Sequence, residues 1–247
     1  MKQTLKTLIR NVKSIKGNSL AEFATTTALM ATLAATAAPK LSEMSEGAKA
    51  EKSRNELDKL IKQAGQFYQD TADIEGRGRF PGQDRHESPV YGGGASGPQD
   101  HHDQIVAQIV GSVTEDPTFT TYQGGDGSQW KSVFGVANED FPKPTEAPMA
   151  ADDAAGTCGT CPGAGTNEDG STMASIHTDD DGNYTTLSGH DEWLKLFGGE
   201  PVGTQYQDGH LVYQVVGGYG TGDDVYPPVL FVADIENASH FNNVLEP

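Results

Sequence analysis

Sixteen consecutive uncharged residues, Phe23 to Ala38, separate a purely basic leader from a charged remainder and stop at Pro39. The leader holds Lys2, Lys6, Arg10, Lys13 and Lys16, no acid, and ends at Gly17. One carboxylate, Glu22, stands at the edge of the uncharged run. A basic segment followed by an uncharged one is the layout of a targeting or processing signal, so these residues are not read as the interior of an ordinary fold. The run holds five threonines and few leucines. Spanning a bilayer ordinarily takes about 20 apolar residues. Its small residues do permit close helix packing, which suits a filament core better than lipid.

The helical pattern does not stop at the proline. Leu41, Met44 and Ala48, then Leu57, Leu60, Ile61, Ala64, Phe67 and Tyr68, recur at steps of three and four, with charges on the other face. Glu56 and Lys59 make one opposite pair at helical spacing. Pro39 is expected to kink the helix, because it removes a backbone donor and crowds the preceding turn. A helix from Ser19 to Thr71 would be roughly 80 Å long at 1.5 Å per residue. Helices in soluble globular proteins seldom reach that length. The stripe keeps no sustained heptad, which disfavours a coiled coil.

Two readings of the N-terminus compete. In a secretory signal peptide, Ala35-Thr36-Ala37 would be the small-x-small cleavage site and the mature chain would start at Ala38. Against this, Glu22 would be an expensive carboxylate beside the apolar run. The second reading rests on order and spacing: a basic leader ending in Gly17, Glu22 five residues beyond it, an uncharged helix, and Pro39 at the twenty-second position after Gly17. In this the chain resembles the type IV pilin and pseudopilin family. The Gly78-Arg79-Phe80-Pro81 turn just past the helix looks like the pseudopilin subgroup, including the major pseudopilin of type II secretion. The resemblance covers residues 6–81.

The resemblance implies cleavage by prepilin peptidase between Gly17 and Asn18, N-methylation, and a filament built from copies of this chain or related pilins by inner-membrane assembly machinery. Asn18 stands where the family usually has Phe. It implies assembly through Glu22, Phe23 and Pro39, with Glu22 meeting the terminal amine of a neighbouring subunit. It also implies a ladle-like α+β fold, with a long N-terminal helix (18–75) against an antiparallel sheet head (76–247). The stem would divide into 18–39, for membrane or filament core, and 40–75, amphipathic. Localisation would be the inner membrane before assembly and a periplasmic or extracellular filament after it. A minor, non-polymerising pilin and a secreted acidic binding protein cut after Ala37 remain the alternatives.

Charge sorts the chain into the same three regions. Residues 1–17 carry +5, residues 18–79 carry 8 basic and 9 acidic side chains, and residues 80–247 carry 4 basic and 26 acidic ones, which sums to the net −18. Such a head repels nucleic acid, so no nucleic-acid partner is expected. Neighbouring heads would repel too, so assembly is expected to strengthen with salt or divalent cations. With 30 glycines and 35% hydrophobic residues, one head with long loops is expected.

In the head, Gln129–Val136, His210–Val216 and Val229–Ala233 read as strands and His190–Phe197 as a short helix. Residues 82–103 and 137–183 read as loop, and Gln104–Val113 is ambiguous between helix and strand. No nucleophile elbow, zinc-protease helix or phosphate loop is present, so no enzyme activity is expected. Cys158 and Cys161 are too few for a disulfide scaffold or a four-ligand zinc site, and a small disulfide pinning a loop is expected. Asp179, Asp181 and Asn183 alternate as oxygen ligands do in calcium loops, which makes Ca2+ the one candidate cofactor. The full EF-hand pattern fails, because Gly182 comes two residues early and His190 stands where the closing Glu belongs.

Overall fold

The computed structural model describes residues 2–90, 96–111, 130–134, 160–202, 211–221, 224–234 and 238–247, the first nineteen of these in backbone only. The chain forms two compact units, Met1–Lys49 and Ala50–Pro247.

The first unit is helix α1, Lys2–Glu75, as far as Lys49. Pro39 lies inside α1 without ending it. Every residue from 21 to 49 is exposed, including Phe23, Leu29, Met30, Leu33, Leu41 and Met44. The threonines of this stretch do not leave their hydroxyls free. Thr25 and Thr26 donate to the carbonyl of Glu22, Thr27 to that of Phe23, Thr32 to that of Leu29, and Thr36 to that of Thr32. A hydroxyl so occupied turns a polar residue into one that presents mainly its methyl group.

In the second unit α1 continues and buries a stripe. Ser53, Leu57, Leu60, Ala64, Phe67 and Thr71 follow at steps of four and three and are all at most 2% exposed. Burial of Leu57, Leu60 and Phe67 contributes about 1.5–3 kcal/mol each. Leu57, Leu60 and Ala64 meet one face of a four-stranded antiparallel sheet of β1 (Lys131–Ser132), β2 (Leu211–Val216), β5 (Val229–Asp234) and β6 (Asn242–Leu245), in the order β1-β2-β5-β6, while Phe67 lies by His177 and Arg79. The register sets Tyr213 opposite Val232 and Leu230 opposite Leu245.

The run Leu-Val-Tyr-Gln-Val-Val is buried along its whole length because both faces of β2 are covered. Leu211, Tyr213 and Val215 face the α1 side, with Phe80 and with Trp193 of α3 (Gly189–Leu196). Val212 and Val216 face Ile105 of α2 (Pro98–Gly111) and Trp130. The period of two sends alternate residues to the two layers. Gln214 shares the α2 face and is satisfied there: its Oε1 lies 2.9 Å from His101 Nε2, and its Nε2 donates to Gln108 Oε1, which also accepts from Trp130 Nε1. A short hairpin, β3 (Tyr219–Thr221) and β4 (Asp224–Tyr226), is exposed and stacks Tyr219 on Tyr226 at 4.6 Å.

The α+β class and the antiparallel sheet agree with the sequence reading. Several elements differ. Residues 98–103, read as loop, are the first turns of α2, and Gln104–Gly111 resolves to helix. Pro98 suits a first helical turn, and Ile105 and Gln108 then fall on the buried face. α1 ends at Glu75, as the expected stem of 18–75 does, and reaches back to Lys2 rather than starting at residue 18. The expected strand over 129–136 is described only at 130–134, where two residues pair.

Candidate functional site

The turn after α1 is held by a buried ionic cluster. Its centre is Arg79, of the Gly-Arg-Phe-Pro segment. The guanidinium grips Glu75, the last residue of α1, with two bonds, Nε to Oε2 at 2.7 Å and Nη2 to Oε1 at 3.1 Å. Nη1 reaches Glu192 Oε1 at 2.8 Å and the carbonyl of Gln83 at 3.1 Å. The group also lies over the Phe67 ring, 5.2 Å from its centre. This planar fork is what arginine offers and lysine does not.

Glu192 comes from the first turn of α3, whose start is capped by Ser188. Its Oε1 also meets His177 Nε2 at 2.9 Å, and its Oε2 accepts from the Gly82 amide at 2.7 Å. Burial alone pushes the Glu192 carboxyl up, but Arg79, His177 and the Gly82 amide together bring it below the ordinary range. Burial likewise works against a charged Arg79, and Glu192 and Glu75 outweigh it and raise its pKa. Glu75 Oε1 also accepts from the Ile176 amide. Three segments far apart in sequence are thereby pinned together: 75–83, 176–177 and 192.

The rest of the turn is shaped around this cluster. A side chain at Gly78 would run into the Tyr68 ring, and one at Gly82, where φ is +83°, would strike the Tyr213 hydroxyl. Thr71 Oγ1 accepts from the Arg79 amide at 3.0 Å. Gln83 closes the loop by accepting from Phe80 N and donating to Ser88 O. With Arg79 5% and Glu192 2% exposed, this cluster is closed to solvent.

Beside it lies an open groove of about 480 Å³, with Arg77, Arg85, His86, Glu87, Thr160, Asn167 and Met173 among its lining residues. Arg77 is exposed. Arg85 donates to Thr160 Oγ1 at 2.7 Å and pairs with Glu87 at 3.1 Å, both of that pair being about half exposed. His86 packs its ring on Gly218 and has Nδ1 buried without a hydrogen-bond partner. Burial first, then the nearby Arg77, lowers the His86 pKa and favours the neutral ring.

The residues singled out from sequence fall in three places. Glu22, Phe23 and Pro39 lie on the exposed part of α1. Gly17 and Asn18 are in its helical backbone. Cys161 is disulfide-bonded and buried, and Cys158 lies outside the described residues. Asp179, Asp181 and Asn183 form an exposed hairpin tip that closes on itself. Asp179 Oδ1 accepts from the amides of Asp181 at 3.0 Å and Asn183 at 2.7 Å, and the Asn183 side-chain nitrogen donates to Oδ2 at 3.1 Å. Among the described residues, no group of three or more His, Cys, Asp or Glu is placed to hold a metal ion.

Sequence reading marked the Gly-Arg-Phe-Pro turn but not its partners. Glu192 is 113 residues from Arg79, and no spacing rule links them. The only hint is composition: every arginine of the head region lies between 77 and 85. No family model matches the sequence, and neither a curated protein nor a solved structure matches it.

Proposed function

We propose that this chain is a structural subunit of a type IV pilus-like or pseudopilus filament. Prepilin peptidase would cut it after Gly17, and it would polymerise through residues 18–49. The observation that carries this reading is the helical stretch 21–49. It is exposed on every side, has its threonine hydroxyls bonded back to its own carbonyls, and begins beside Glu22. Among the described residues no helix is long and apolar enough to cross a membrane. Exposed Phe23, Leu29, Met30 and Leu33 need cover from something, and like helices of neighbouring copies supply a surface of the same kind. The amine freed at Asn18 would carry a charge into that bundle, and Glu22 of a neighbour would neutralise it.

The role is structural rather than catalytic, and the ladle arrangement of stem and head belongs to the same proposal. Calcium could join at Asp179, Asp181 and Asn183 only if the Asn183 amide turned its oxygen inward, since its nitrogen now faces Asp179.

A secreted acidic binding protein is the second reading, favoured by one observation. The second unit starts at Ala50 and its buried stripe at Ser53, so a cut after Ala37 would spare the core. The mature N-terminus decides between them. Intact mass and terminal peptide sequencing, from cells with and without the peptidase, should give a start at Asn18 that depends on that enzyme. A start at Ala38 would remove Glu22 and overturn the filament reading.

A further inference from the structure

The head region holds few cations, and their placement is uneven. Beyond Arg85 the sequence has no arginine and, as lysines, only Lys131, Lys143 and Lys195, against 25 acids. Arg77, Arg79 and Arg85 fall within nine residues. Arg79 is sealed and neutralised by Glu75 and Glu192. Arg77 and Arg85 are left at the open groove, beside a histidine that burial and Arg77 keep neutral. Arg85 is held by Glu87 in a half-exposed pair and by the Thr160 hydroxyl, exposed contacts that an incoming carboxylate can replace at small cost.

We infer that the Arg77–Arg85 groove docks the acidic hairpin tip of a second copy of this chain, taking the carboxylates of Asp180 and Asp181. This rests on the reading of the chain as a self-assembling subunit. The tip fits on three counts. It is exposed from Thr178 to Tyr184. It is stiffened by the Thr178–Tyr184 bridge and by Asp179, which spends its own oxygens on the turn. Its next two carboxylates, Asp180 and Asp181, enter no ion pair among the described residues. A groove with two arginines and a tip with two aspartates on the same molecule let copies join, and in a filament the contact runs head to tail and repeats from copy to copy. It also offsets, at one place, the repulsion between heads.

The test uses the full chain. In the double variant Arg77→Lys and Arg85→Lys, which keeps the charge and supplies amines, 15N-labelled and unlabelled chains are mixed and joined with a zero-length carbodiimide. Mass spectrometry is expected to find mixed-isotope links from position 77 or 85 to Asp180 or Asp181. Links confined to one chain, or reaching other acids only, overturn the docking. In a second arm, Arg77→Glu with Arg85→Glu should cut sheared filament yield at least tenfold, and adding Asp180→Lys with Asp181→Lys should restore it. Wild-type filaments whose yield ignores the reversal overturn the docking and leave the filament reading standing. If the wild-type chain makes no filaments, that reading falls, and the cross-link result alone decides the contact.

Discussion

One helix, α1, meets two different environments. From 50 to 75 it follows the rule of a core helix: the apolar residues fall at steps of four and three, one stripe is sealed, and charges face out. From 21 to 49 it has apolar residues of similar size, Leu29, Met30, Leu33, Leu41 and Met44, and all are more than 60% exposed. Hydrophobicity therefore does not distinguish the two parts. What distinguishes them is whether a complementary surface exists within the same chain. Leu57 and Leu60 find Tyr213, Leu230 and Val232. The exposed part finds no cover among the described residues, and apolar side chains left so are available to other molecules.

The sharpest break in the comparison sets one carboxylate against another. Glu192→Ala strips one of two carboxylates from buried Arg79 and the partner from His177, and should cost about 3–5 kcal/mol, read as a fall in the midpoint of urea unfolding. Glu22→Ala should leave that midpoint where it is and abolish filaments. Loss of stability from Glu22→Ala would show that the exposed part of α1 supports the fold after all.

Apolar truncation sharpens the same contrast. Leu60→Ala should destabilise by about 2–5 kcal/mol. Leu33→Ala should stay within about 0.5 kcal/mol. Equal effects in thermal melts would erase the distinction between the halves.

A smaller effect belongs to the disulfide at Cys161. Closing a four-residue loop, the Cys-x-x-Cys spacing, is worth about 2 kcal/mol on the chain-entropy model, so reducing agent should lower the melting temperature by a few degrees.

Acid should act in two windows. His86 and His101 are held neutral, chiefly by burial, with pKa values below the ordinary 6.5. The unfolded chain binds their protons first, so stability present above about pH 6.5 declines as pH falls below it. Glu192 is depressed, so its share is intact above the ordinary 4.5 and is lost as pH falls through the lower folded value. Glu192→Gln should flatten only the second window, and a denaturation series from pH 8 to pH 3 would separate the two.

Local rules made the stripe from Leu57 to Tyr68, the strands at 211–216 and 229–234, and α3 legible in the sequence. Each carries its period in adjacent residues. β6 was not legible, because Asn242-Asn243-Val244-Leu245 has little strand character by itself and owes its form to pairing with β5. The start of α2 was hidden by its polar residues, His101 among them, which is buried with its ring against the Gln214 side chain. The ionic cluster was half visible. Arg79 sat in a marked turn, while His177 looked like an ordinary member of a loop-rich stretch and Glu192 like an ordinary acid of a short helix. A partner chosen by three-dimensional closure leaves no periodic trace.

Asn243 donates to Asp58 across 185 residues, and Leu245 lies within reach of Gly65. The stripe on α1 thus waits for a strand made some 185 residues later. A ribosome will have released the whole helix long before the sheet that covers it exists. Until then Leu57, Leu60 and Phe67 remain open to any passing apolar surface, and a chain so built folds late and depends on being kept apart from its siblings. Deleting β6, Asn242–Leu245, should therefore do its damage during synthesis, as aggregation, before it is seen as a lowered melting point.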